Sequence, residues 1–182
     1  TIYIIEYIDG SWKKSILATQ DSPQIPYIKL NNNGGGIIAW KNGEMGDEDS
    51  VLYASILNNG KWKQPEEISN REAIEWYFDI DLDEKGNAIV VWETDLSRSS
   101  QAYINEYRDS GWVGARQLNL ATTYSTSPQV TMSRNDVAIV AWRQRDSIDQ
   151  IAMREFRRGV WSEVEIVGDG YRPKIDSDNK GD

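Results

Sequence analysis

Three stretches of the chain align without a gap over their whole length: PYIKLNNNGGGIIAW at 26–40, FDIDLDEKGNAIVVW at 78–92 and PQVTMSRNDVAIVAW at 128–142. Each opens on alternating apolar and polar residues, passes through a turn of Gly, Asn and Asp, and closes on an apolar run ending in Trp. Those three tryptophans, Trp40, Trp92 and Trp142, stand 52 and 50 residues apart. A second motif lies between them: YIIEYIDGSW (3–12), YASILNNGKW (53–62), YINEYRDSGW (103–112) and AMREFRRGVW (152–161). Its tryptophans, Trp12, Trp62, Trp112 and Trp161, are spaced by 50, 50 and 49. Seven of the eight Trp therefore fall on two interleaved ladders, which identifies an array of like units. A fourth copy of the first motif, PKIDSDNKGD at 173–182, stops before its Trp.

One period reads as four short strands. Strand A alternates, as in Ile28–Leu30, Ile80–Leu82 and Val130–Met132. Strand B is the continuous apolar run IIAW, AIVVW or VAIVAW, a pattern that fits a strand covered on both faces. A polar loop follows at 41–50, 93–100 and 143–149. Strand C carries Tyr, Glu and Phe, and a turn at Gly10, Gly60, Gly111 or Gly159 leads into strand D at the second Trp. Short strands with regularly spaced turn residues predict an all-β fold. NREAIEWY (70–77) reads as a loop or a single helical turn.

Four-stranded antiparallel units of this length predict a β-propeller, in which blades stacked around an axis cover one another's faces. The chain divides into strands C and D at 1–19, blades at 22–69, 74–119 and 126–168, and strand A of a further blade at 171–182. It is expected to be a slice of a longer propeller. The alternative is that the two ends meet in a shared blade, within one chain or between copies, removing exposed strand edges. Both tryptophan ladders are expected to pack between blades, each ring burying roughly 150–250 Å².

Composition narrows the chemistry. The chain has 182 residues, no Cys and no His, so disulfides, thiolate nucleophiles, Cys/His zinc sites and imidazole catalysis are excluded. With 29 Asp+Glu against 20 Lys+Arg the net charge is -9, which disfavours a nucleic-acid partner. Mean hydropathy is -0.62, and no apolar run reaches the length of a membrane span. Thr1 opens directly on a strand-like pattern, with no leader-like segment.

The quoted motifs resemble the repeats of bacterial secreted or surface β-propellers, with blades of the form P-x-V-x-x-D-x-x-G-N-A-x-x-x-W, then a Tyr-rich strand, then G-x-W. The resemblance covers nearly the whole chain. It implies a lectin-like or sialidase-like propeller at a bacterial surface or secreted from the cell. The sialidase Asp-box, S-x-D-x-G-x-x-W, is not matched, since Gly86 and Trp92 are six residues apart rather than three.

Carboxylates are plentiful, and Glu75, Asp79, Asp81, Asp83, Glu93 and Asp95 are the candidates for paired-acid chemistry. Asp79, Asp81 and Asp83 share one face of strand A, but the D-x-D-x-D-G calcium pattern fails at Glu84 and Val90. These acids read as turn and solvent groups, as does GDEDS at 46–50. No nucleophile elbow or phosphate loop is present. Arg143, Arg145, Arg154 and Arg172 could grip a carboxylate or phosphate, but they alternate with Asp146, Asp149 and Glu155 and read mainly as surface pairs. No metal and no cofactor are expected.

Aromatic residues outside the ladders carry the candidate site. Trp76 and Tyr77 precede strand A of one blade, and Tyr124 and Tyr171 lie in the matching D-to-A connections of the next two. With Glu75 and Arg172, and flanked by Asn70, Arg71, Thr123 and Ser125, they would form a platform for a sugar. The competing reading is that these rings cap the inner strands. The function expected is non-catalytic recognition of a glycan or protein ligand, with sites recurring between blades and gaining from avidity. A glycan hydrolase built on converging carboxylates and a structural scaffold are the alternatives, and a homo-oligomer or the remainder of a longer propeller are the expected partners.

Overall fold

The computed structural model describes residues 1–20, 22–44, 50–69, 74–94, 100–118, 124–133 and 136–178, without the side chains of 74–76. The fold is all-β. The first sheet is the antiparallel hairpin β1 (Ile2–Ile8) and β2 (Ser11–Ala18). A blade follows with β3 (Pro23–Leu30), β4 (Gly36–Asn42), β5 (Val51–Asn58), β6 (Lys61–Trp62) and β7 (Glu66–Glu67). The next has β8 (Ile74–Leu82), β9 (Ala88–Thr94), β10 (Ala102–Arg108), β11 (Gly111–Trp112) and β12 (Arg116–Gln117). The last has β13 (Tyr124–Met132), β14 (Ala138–Arg145), β15 (Asp149–Arg157), β16 (Val160–Trp161) and β17 (Glu165–Asp169). In each blade strands A, B and C pair in chain order, and strand D is broken into two pieces that both pair with strand C. No helix among the described residues is long and apolar enough to cross a membrane.

Strand B explains the stacking. Successive side chains of a strand point to opposite faces, and here both faces are covered. Ala88, Val90 and Trp92 of β9 pack towards the preceding blade with Ile37, Ala39 and Leu52. Ile89 and Val91 of the same strand pack towards the following blade with Val130, Val140 and Trp142. Trp40, Trp92 and Trp142 are fully buried, each towards the unit before it. Trp40 and Trp92 also stack on their cross-strand partners Tyr53 and Tyr103, with ring centroids 6.0 and 5.8 Å apart. Trp142 faces Ala152 instead.

The second ladder meets expectation only in part: Trp62, Trp112 and Trp161 pack on the clusters between units, but from the rim. Trp12 is 72% exposed, and Trp62, Trp112 and Trp161 are only half-buried. These rings sit on the outermost strand; Trp12, Trp112 and Trp161 lean on the strand-C aromatic beside them, and Trp62 faces Leu57. Centroids are 5.1 Å apart in Tyr7–Trp12 and 5.4 Å in both Tyr107–Trp112 and Phe156–Trp161. On the first hairpin Tyr3, Ile5 and Tyr7 are exposed, as are Ile28 and Leu30 of β3. Tyr3 is the counterpart of Tyr53 and Tyr103 but has no indole stacked on it.

Polar links join the blades as well. Asp79 accepts a hydrogen bond from Val130 N at 3.1 Å, and Asp81 accepts one from Met132 N at 2.7 Å, tying β8 to β13. Asp83 instead clamps its own turn, accepting the N–H groups of Lys85 and Asn87 at 2.9 Å each. In the preceding blade Asn31 clamps the equivalent turn, accepting from Asn33 N and Gly35 N. At the rim the buried Glu106 accepts from Arg108 Nε at 2.8 Å, from Arg116, and from Trp161 Nε1 of the next blade at 2.9 Å.

Two expectations change. Residues 171–178, read from the sequence as strand A of a further blade, run beside β13 without forming a strand. Lys174 Nζ donates to Gln129 at 2.7 Å and Ser177 meets Thr131 at 2.9 Å, but no strand B among the described residues supplies a backbone ladder. Residues 74–77, read as loop or helical turn, begin β8; Asn70–Ala73, the loop Met45–Asp49 and the tail beyond 178 lie outside the described residues.

Truncating Trp92 to Ala removes a fully buried ring from an interface between blades and is expected to cost about 3–5 kcal/mol in chemical denaturation. Trp12→Ala is expected to cost about 1 kcal/mol or less; equal losses would contradict the division between the ladders. A second outcome concerns Asp81. Burial raises its pKa, opposed by the Met132 N–H and the nearby Lys29 and supported by Asp79. The folded chain thus holds this proton more tightly than the unfolded chain, so ionisation of Asp81 subtracts stability as pH rises to neutrality. Asp81→Asn keeps an acceptor for Met132 and should raise the urea midpoint at pH 7, with the gain fading as pH falls through the raised folded-state value and gone below about 3.9, the ordinary aspartate value. A gain that grows on acidification would contradict the assignment.

Candidate functional site

At the end of the blades where strand B runs into strand C and strand D into strand A, a cleft of about 550 Å³ opens between the last two blades. Its walls are Tyr77, Glu93, Tyr124, Thr126, Ser127, Arg143, Asp149, Tyr171 and Arg172. That volume lies within the range of about 300–1,000 Å³ usual for ligand pockets.

Local backbone geometry puts these side chains there. Strand A of every blade breaks register at one place: between Gln24 and Tyr27, between Ile74 and Phe78, and between Thr126 and Gln129. Such bulges bend a strand and re-aim a side chain. The residue just before the aligned Pro26, Phe78, Pro128 or Pro173 is Ile25, Tyr77, Ser127 or Arg172. Ile25, Ser127 and Arg172 have φ of 45°, 53° and 57°, the left-handed region that non-glycine residues rarely occupy. Proline supplies no ladder N–H, which is why Pro26 and Pro128 are tolerated next to a bulge. Three consecutive copies of this position, Tyr77, Ser127 and Arg172, line the one cleft.

The residue after the strand-B Trp forms the opposite wall. It is Glu93 in β9 and Arg143 in β14. Glu93 accepts the Ser127 N–H at 2.5 Å, pinning the bulge of the next blade. Arg143 donates through Nε to Asp149 Oδ1 at 2.8 Å, with Nη2 also 2.8 Å from that oxygen, and Arg145 Nε lies 3.4 Å from it. The Arg143 guanidinium sits 5.6 Å from the centroid of the Tyr124 ring. Tyr77 and Tyr171 are 49% and 70% exposed. Among the described residues, neither the three tyrosine hydroxyls nor the Arg172 guanidinium has a hydrogen-bond partner.

Of the residues singled out from the sequence, Tyr77, Tyr124, Tyr171 and Arg172 thus come together in space. Tyr77 and Tyr124 do so from strands β8 and β13 rather than from the connections where they were expected. Ser125, expected at the flank, is buried at 0% exposure with its N–H on Ser100 O. The side chains of Glu75 and Trp76, and all of Asn70, Arg71 and Thr123, lie outside the described residues. Sequence reading missed Thr126 and Ser127, and took Arg143 and Asp149 for surface residues. The signal available was the proline inside strands A, which marks a bulge.

A larger groove of about 1,020 Å³ lies on the opposite face, among the A-to-B and C-to-D turns. Several of its polar groups hold the blades together. Arg108 and Arg116 are bound to Glu106, Arg108 also to Asp136 at 2.7 Å, and the Tyr107 hydroxyl accepts from Lys63 Nζ. The smaller cleft is the one into which three successive repeats each bring a tyrosine.

No family model and no curated protein sequence matches this chain. Among solved structures it is similar to the Hadza microbial sialidase Hz136, at 13% identity and a TM-score of 0.54, over 78% of this chain and 37% of that one. It is also similar to a PL25 ulvan lyase, a polysaccharide lyase bound to -[GlcA(1-4)Rha3S]-, at 10% identity and a TM-score of 0.52, over 86% of this chain and 46% of that one. The chain spans less than half the length of either structure, and at these identities the likeness is one of fold.

Proposed function

We propose that this chain is a non-catalytic glycan-binding propeller module, secreted or displayed at a bacterial surface. The observation that carries the reading is the convergence of Tyr77, Tyr124, Tyr171 and Arg172, drawn from three successive repeats, on one cleft. Tyrosine rings stack on the C–H faces of a sugar, and their hydroxyls with Arg172 can hydrogen-bond its hydroxyls. Two proteins of similar fold bear the names of a sialidase and a polysaccharide lyase, which agrees with a carbohydrate ligand.

Glu93 and Asp149 both line the cleft, which is the specific ground for a hydrolase as the second reading. Each already serves the fold, Glu93 on the Ser127 bulge and Asp149 on Arg143 and Arg145. A carboxylate held by structural hydrogen bonds is poorly placed to shuttle a proton, and this favours binding over turnover.

A glycan array tests the proposal. Wild type is expected to bind a defined subset of glycans, and Tyr77→Ala and Tyr171→Ala are each expected to weaken that binding about five- to a hundred-fold, as for loss of a stacked ring. The melting temperature should stay within a few degrees, because both rings are exposed. No binding to any glycan would remove the reading and leave a protein ligand to be sought. Release of reducing ends from a bound glycan, abolished by Glu93→Gln, would establish the hydrolase instead.

A further inference from the structure

The cleft contains two arginines in different states. Arg143 is committed: Nε and Nη2 both engage Asp149, and the ring of Tyr124 lies alongside. Arg172 has no such commitment among the described residues. It is exposed, flanked by Tyr171, and held at φ 57° on the register position that Tyr77 and Ser127 occupy in the two preceding blades. A non-glycine residue in that conformation is strained, so the surrounding structure imposes it rather than the side chain choosing it. The backbone thereby aims a five-donor planar fork into a cleft whose other charges are accounted for by Asp149 with Arg143 and Arg145, and by Glu93 with Ser127 N.

The guanidinium fork matches two oxygens of one planar or tetrahedral anion, which a neutral sugar hydroxyl does not offer. We infer that the ligand of this cleft is an acidic saccharide and that Arg172 is the specificity-determining residue, gripping a carboxylate or sulfate on the sugar while the tyrosines hold its ring. The inference rests on the glycan-binding reading above and deepens it. With a net charge of -9, the chain as a whole repels polyanions. Preference for an acidic ligand must therefore come from this local contact and not from diffuse attraction.

The test uses three probes with the intact chain: oligogalacturonate, sulfated galactan oligosaccharide and uncharged galactan oligosaccharide, each titrated by calorimetry. Wild type is expected to bind one of the charged probes at least about ten-fold more tightly than the neutral one. Which charged probe wins distinguishes carboxylate from sulfate. Arg172→Gln should erase that preference, lowering charged-probe affinity about ten- to a hundred-fold but neutral-probe affinity by no more than about three-fold, the loss of one neutral hydrogen bond. Arg172→Lys should recover only a fraction of it, because it restores the charge without the fork. Arg145→Gln, at the edge of the cleft, should leave the preference intact. Equal binding of neutral and charged probes, or a preference that survives Arg172→Gln, overturns the inference and leaves the glycan-binding reading standing. Binding of none of these probes, together with an empty array, overturns both.

Discussion

The structure depends on the burial of strand B on both faces. A lone four-stranded sheet with an apolar central strand would expose one side of that strand to water, and only a neighbour on each side removes the exposure. Strand β9 shows the arrangement completely: Trp92, Val90 and Ala88 face one blade, Ile89 and Val91 the other. Blade spacing, the fully buried indoles and the tyrosines stacked on two of them follow from that condition.

Polar groups then set how the stacked sheets are aligned. Apolar faces can slide, since burial is proportional to area and has no direction. Hydrogen bonds from β13 backbone amides to Asp79 and Asp81 have direction, as does the Glu106 cluster that reaches Trp161 in the next blade. Carboxylates that look from the sequence like candidates for catalysis or cation binding are thus largely alignment devices. Asp83 and Asn31 do the equivalent service inside their turns, where a short acceptor satisfies the amides of a tight reversal.

The cleft lies at the opposite end, where strand A of each of the three blades carries a bulge. A regular strand would point the residue before Phe78 or Pro128 according to its parity, and its ladder would continue. The bulge interrupts the ladder, and successive copies of that position reach a common cleft. Because the position is freed from packing, the repeat can carry Tyr, Ser or Arg at it without disturbing the blade. This is how a repetitive scaffold acquires a site with unlike groups on its walls.

The sequence by itself determined the repeat, the order of four strands in each unit and the identity of the buried core strand, because period and patterning record which faces meet water. It also singled out Tyr77, Tyr124, Tyr171 and Arg172, since they stand outside the two ladders. Only the tertiary structure separated the ladders into a buried set and a rim set. Trp40 and Trp12 look alike in the chain, but one lies on a central strand and the other on an outer strand, against Tyr7 of the strand beside it. Likewise, only the fold decided that Arg143 is neutralised by Asp149 while Arg172 lines the cleft with no such partner among the described residues. Such pairings join residues from different strands and different repeats, and their distances are fixed by how sheets twist and stack, which no local pattern encodes.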